Sequence, residues 1–155
     1  MQVPLGRWTA VSLMVMWLVL LRGLSTVVAE EGLRRTHQGG GVTIDVAFLA
    51  PEGDSKHLRF NLRMNTHSVP LDDYDMRKLS VLRDGRGRVF SAMAWSDPRG
   101  GGHHRAGVLV FPAKDQDGNL IVNQESKVIE VIIKGVAGVP ERVFHWDLPL
   151  IANSR

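Results

Sequence analysis

The sequence predicts an all-β protein, an immunoglobulin-like antiparallel β-sandwich of about seven strands, with a small β-barrel as the runner-up. Three observations carry this. Over most of the chain apolar residues recur at every second position, the period of a strand with one face in a core. The runs are short and separated by Gly, Pro, Asn and Asp turn signals. No segment carries the apolar stripe of an amphipathic helix. The cysteine pair of antibody-type domains is missing, so strand count alone favours the sandwich.

The chain opens with the pattern of a secretory signal. Arg7 supplies a positive start, Trp8 to Leu21 is apolar, Arg22 breaks the run, and Val27-Val28-Ala29 offers small residues to a signal peptidase. The apolar core is too short to span a bilayer, so residues 1–29 read as a cleaved signal peptide. The competing reading, the one route to a membrane, is an uncleaved anchor in which Arg22 snorkels to the interface. Cleavage leaves 126 of the 155 residues, enough for one domain with a single core. It also leaves 17 basic against 16 acidic side chains, a net charge of +1. That balance, without a basic stripe interleaved with aromatics, argues against nucleic-acid binding. There is no cysteine, which excludes thiolate metal sites, a cysteine nucleophile and a blue-copper centre. It fits an exported protein of a bacterial periplasm or the extracellular space better than a disulfide-rich eukaryotic exterior.

Residues 30–41 (EEGLRRTHQGGG) are polar and end in three glycines, a flexible leader ahead of a β-sandwich domain spanning 42–155. Val42, Ile44, Val46 and Phe48 alternate with polar or small residues. After Pro51-Glu52-Gly53-Asp54, Leu58, Phe60, Leu62 and Met64 alternate with Arg59, Asn61, Arg63 and Asn65, the cleanest strand in the chain. Leu71 to Lys78 is the one place for a short helix, with Asp72 and Asp73 at its start. Leu79–Arg83 and Arg88–Trp95 flank the hairpin loop Asp84-Gly85-Arg86-Gly87. Gly107–Phe111, Lys127–Lys134 and Arg142–Leu148 complete the set, the last entered through Val136–Arg142 as a turn-forming link. Trp95 and Trp146 read as core anchors, one per sheet.

The densest candidate site is Asp97-Pro98-Arg99-Gly100-Gly101-Gly102-His103-His104-Arg105, a glycine loop carrying imidazoles and guanidinium groups. Neutral imidazole is a common ligand for copper or zinc. Adjacent side chains on extended backbone point apart, so a metal site here needs partners from other loops. His67 and the carboxylates of Asp72, Asp73 and Asp75 are the first choices, and His145 is a further one. Thioethers offer a softer variant, but Met64 and Met93 fall in core register, which leaves Met76 beside Tyr74. The alternative to metal is a protein–protein interaction module of the cell envelope, in which Arg99 and Arg105 pair with carboxylates of a partner.

Other polar stretches carry less. Asp115-Gln116-Asp117-Gly118-Asn119 places its glycine fourth rather than sixth, as a calcium loop requires, and reads as a turn. Ser68 beside His67 lacks the strained elbow of a hydrolase nucleophile. No acid–base pair, nucleophile or cofactor motif stands out, so a non-catalytic protein is expected. Three stretches, THSVPLDDYD (Thr66–Asp75), GGGHHRAGVLVFP (Gly100–Pro112) and VAGVPERVFHWDL (Val136–Leu148), together resemble a family of small exported bacterial β-sandwich proteins. That resemblance implies an exported location and a β fold, and no function.

Overall fold

The computed structural model describes residues 33–49 and 56–149. The expected signal peptide and the Pro51–Asp54 turn lie outside them. Among the described residues no helix is long and apolar enough to cross a membrane. The described residues form nine strands in two antiparallel sheets. They are β1 (Arg34–Gly39), β2 (Val42–Leu49), β3 (His57–Thr66), β4 (Ser80–Asp84), β5 (Val89–Ser91), β6 (Ala94–Gly101), β7 (His104–Pro112), β8 (Val128–Val136) and β9 (Val139–Asp147), with one helical turn, α1 (Met76–Leu79), before β4. One sheet has the order β1-β2-β3-β7-β6 and the other β5-β4-β8-β9. Without β1 these are the A-B-E-D and C′-C-F-G orders of an immunoglobulin-type Greek key. The barrel alternative falls away, because among the described residues no strand ladder joins the two sheets.

The difference between about seven strands and nine has two physical causes. The first lies in residues 30–41, expected as a flexible leader. Arg34–Gly39 instead pairs with Val42–Ala47, and Gly40-Gly41 (φ +58° and +74°) is the two-residue turn between them. Positive φ at both central residues is the hairpin geometry that glycine supplies without strain. The second lies in the run Arg88–Trp95, which reads as one strand but splits between sheets. Ala92 donates its amide to Ser80 O of β4, and Met93 donates to Val110 O of β7. The chain changes sheet between those two residues. Met93, expected in core register, is therefore exposed, whereas Met76, expected in a loop, is fully buried. The short helix is also smaller than Leu71–Lys78, and Asp75 rather than Asp72 or Asp73 caps it by accepting from the Lys78 amide at 3.3 Å. The link into the last strand is likewise mostly strand: Val139–Glu141 belong to β9, and only Ala137-Gly138 turn.

The core is aromatic at its centre. Phe60 meets Phe48, Phe111 and Trp146 with ring centroids 4.9, 5.7 and 5.3 Å away, in tilted or edge-on contacts. Trp146 and Trp95 sit in different sheets, as expected, Trp146 fully buried and Trp95 partly so.

One edge of the sandwich is closed by side chains. Trp146 Nε1 donates to Leu33 O at 2.6 Å, and Arg35 Nε donates to His145 O at 2.8 Å. Arg142 is fully buried. Its Nη1 donates to Val136 O at 2.7 Å and its Nη2 to Gly39 O at 2.8 Å, so one guanidinium ties the β8–β9 turn to the β1–β2 turn. No carboxylate among the described residues pairs with it, and burial lowers its pKa from the usual arginine value, with the Tyr74 phenol opposing. The two turns touch so closely that a Cβ on Gly40 would stand 2.1 Å from Ala137 O.

Replacing Arg142 by alanine strands the buried Val136 carbonyl and the part-buried Gly39 carbonyl, each losing a charge-assisted bond worth about 1.5–3 kcal/mol. We expect urea unfolding to show a loss of roughly 2–5 kcal/mol, with Arg142→Lys recovering part by reaching one carbonyl. Gly40→Ala should lose about 1–3 kcal/mol through positive φ and the collision. A variant of either site with the wild-type midpoint would disprove the stitch.

Candidate functional site

The glycine-rich segment is not a free loop. β6 and β7 run through it, leaving Gly102-His103 as a two-residue turn. Gly100 has φ +74°, and a Cβ there would stand 2.1 Å from His104 O, so no other residue fits. The turn is then tied to the segment between β3 and α1. Asp72 accepts the Gly102 amide on both carboxylate oxygens (3.0 and 2.9 Å), Leu71 N donates to Gly102 O (2.9 Å), and Thr66 N donates to His103 O (3.0 Å).

These bonds decide the proposed ligands. Asp72 is spent on a backbone amide, Asp75 on the helix cap, and His104 Nδ1 faces Asn65 Oδ1 at 2.9 Å across the β3–β7 pair. His67 and His103 are exposed, and so is Asp73. Among the described residues no three His, Asp or Glu side chains come together to hold a metal. The copper or zinc reading of His67, His103, His104, Asp72 and Asp75 therefore has no support in the geometry.

Arg105 and Arg99 part company. Arg105 shares the core-facing register of its partner Met64 and turns inward. Its Nη1 donates to the carbonyls of Leu71, Tyr74 (3.0 Å) and Asp72 (3.3 Å), and its guanidinium lies 4.3 Å from the Trp95 ring centroid. Arg105 is thus a structural clamp. Arg99 is exposed on the other face of the same sheet.

That outer face of the five-stranded sheet is the most distinctive surface. It carries Arg34, Arg59, Arg63 and Arg99 against Asp45 and Asp97. Asp45 is occupied by the Thr36 hydroxyl at 2.6 Å. Arg59, Arg63 and Arg99 have no carboxylate within salt-bridge distance among the described residues. Between Arg63 and Arg99 lies a depression of about 190 Å³, lined also by Leu49, Asn61, Asp97, Ala106 and Val108. Sequence reading found Arg99 but missed Arg63 and Asn61. Their alternation marked a wet face, but not which strands lie beside it.

Several charges elsewhere are paired internally. Arg88 bridges Asp84 (2.7 Å) and Asp115 (2.6 Å), so the protein's own guanidinium stands where a calcium loop would need its ion. On the outside of the four-stranded sheet, Arg83 pairs with Glu130 at 2.6 Å. Glu130 reaches His145 Nδ1 and Asp147 reaches its Nε2, both at 3.1 Å. The two carboxylates address opposite sides of the ring, which makes an ion-pair ladder and not a converging metal site. Hydrogen bonds to Glu130 and then Asp147 raise the His145 pKa above its ordinary value.

The fold and surface together define a small β-sandwich domain with a cationic sheet face. Comparison with known proteins gives no matching family model, no matching curated protein and no matching solved structure.

A raised histidine pKa stabilises the fold below the unfolded value of about 6.5 and ceases to do so as pH climbs through the folded value. The ring is half exposed, so the effect on stability is small and weakens with salt. NMR titration should find His145 above 6.5, with Glu130→Gln bringing it down. A ring that titrates at or below 6.5 in the wild type refutes the ladder.

Proposed function

We propose that the chain is an exported, non-catalytic binding domain that docks an anionic protein surface in the cell envelope through the outer face of its five-stranded sheet. The signal-like start supports export. The observation that carries the docking reading is the set of exposed arginines on that face without ion-pair partners among the described residues, whereas Arg83 and Arg88 elsewhere pair with carboxylates. Guanidinium forks suit carboxylates, and an interface needs such groups still available. The copper or zinc reading is not carried forward, because its candidate ligands serve other bonds or stand apart.

Retention on a polyglutamate-coated surface at low ionic strength provides the test. Wild type should be retained and released by salt, and Arg63→Glu/Arg99→Glu should bind at least about tenfold more weakly, or roughly 1.4 kcal/mol. Arg86→Glu, on the β4–β5 turn, should bind as wild type. Arg105→Ala should lower the unfolding midpoint instead, because it releases three carbonyls. Equal binding by wild type and the Arg63/Arg99 variant would overturn the reading.

A further inference from the structure

The sheet register makes a row across three strands: Arg63 of β3 opposes Ala106 of β7, and Ala106 opposes Arg99 of β6. The row exists because of a bulge. From Ser96, strict alternation would turn Arg99 toward the core, since Ser96 pairs with the outward Val108. The register shifts between Ser96 and Arg99, where three steps along β6 answer two along β7. That extra residue returns Arg99 to the outer face. It is bought by a left-handed Asp97 (φ +49°) followed by Pro98, a conformation unusual outside glycine and concentrated at binding sites.

The middle of the row is small and the floor is apolar. Ala106 leaves room between two long cationic side chains whose strands lie roughly 10 Å apart, two strand spacings. Leu49, Ala106 and Val108 supply aliphatic surface, and Asn61 adds an amide. Beneath the floor, Gly107 is packed so tightly on Trp95 that a Cβ would stand 2.1 Å from the indole nitrogen, which holds β7 rigid here. The depression, about 190 Å³, falls well short of the roughly 300 Å³ at which sites for drug-sized ligands begin. It has the size for one side chain.

We infer that this depression seats a single glutamate side chain from an acidic segment of the partner protein. The aliphatic stem lies on Ala106 and Val108, and the carboxylate sits between the Arg63 and Arg99 guanidinium groups. This rests on the docking reading above and adds the residue recognised. A glutamate fits better than a phosphate or sulfate group because the apolar floor of Ala106 and Val108 rewards a methylene stem.

The experiment uses the full mature chain and blocked hexapeptides of Glu, Asp and Gln, followed by NMR shift mapping and titration. The Glu peptide should perturb Asn61, Arg63, Arg99 and Ala106–Val108, bind more tightly than the Asp peptide, and lose binding in its Gln form. Ala106→Leu fills the depression without changing charge, and should weaken the Glu peptide at least about tenfold. Arg86→Ala, on the β4–β5 turn and away from this face, should leave its binding unchanged, and each variant's unfolding midpoint checks its fold. Glu-peptide binding that survives Ala106→Leu, or that maps to Arg34 and Arg59, overturns the glutamate seat while leaving the docking face standing. Tighter binding of polyphosphate through the same residues also overturns it. Binding of none of the carboxylate peptides overturns both readings.

Discussion

The sandwich depends on a buried cation that has no anion beside it among the described residues. Arg142 projects from β9 into a site closed by two hairpin turns, and it holds the backbone carbonyl of each. Desolvating a guanidinium is costly, and two carbonyl dipoles compensate for it less fully than a carboxylate would. What the arrangement supplies is placement: it fixes the β1–β2 turn against the β8–β9 turn, and so fixes which edge of one sheet meets which edge of the other. Tyr74 extends the same knot by accepting the Ala137 amide at 3.0 Å. Tyr74 also belongs to the segment that Arg105 holds, so the two arginine-centred clusters are joined through one residue.

Side-chain parity explains why chemically similar groups have opposite fates. Arg105 and Arg63 lie on adjacent paired strands, yet Arg105 faces inward and Arg63 outward. Arg105 therefore finds carbonyls and an indole ring, and Arg63 finds solvent. Arg99 would share the inward fate but for the one-residue shift at Asp97-Pro98. The histidines follow the same logic. His145 meets two carboxylates on the outer face of its sheet, whereas His103 ends on a turn whose backbone, not its ring, makes the contacts.

The fold was largely legible because the period of two is a local signal. Val42–Phe48, Leu58–Met64 and Gly107–Phe111 each announced a buried face, and the structure buries those residues. What failed was non-local. Three glycines look the same in a spacer as in a tight turn, and only pairing with β2 distinguishes them. A change of sheet at Ala92-Met93 leaves no gap in the apolar run. The candidate site was half legible for the same reason. Arg99 was visible on its glycine-rich segment, but its neighbour Arg63 comes from a strand 36 positions earlier, and the register that joins them is set by the bulge. Asp72 and Arg105 carried the right chemistry for recognition, and the fold uses both on its own backbone.

The strand that the glycine-rich leader turned out to be bears on how the protein reaches its native state. The bonds that shut the sandwich join Leu33 to Trp146 and Gly39 to Arg142, separations of 113 and 103 residues. A chain made from its N-terminal end presents β1 first and must wait for β9 before either bond can form. Loop closure over such distances carries a large entropic cost and slows folding, so neither bond can precede synthesis of the last strand. β1 therefore stays unlatched on its β9 side until nearly the whole domain has been made.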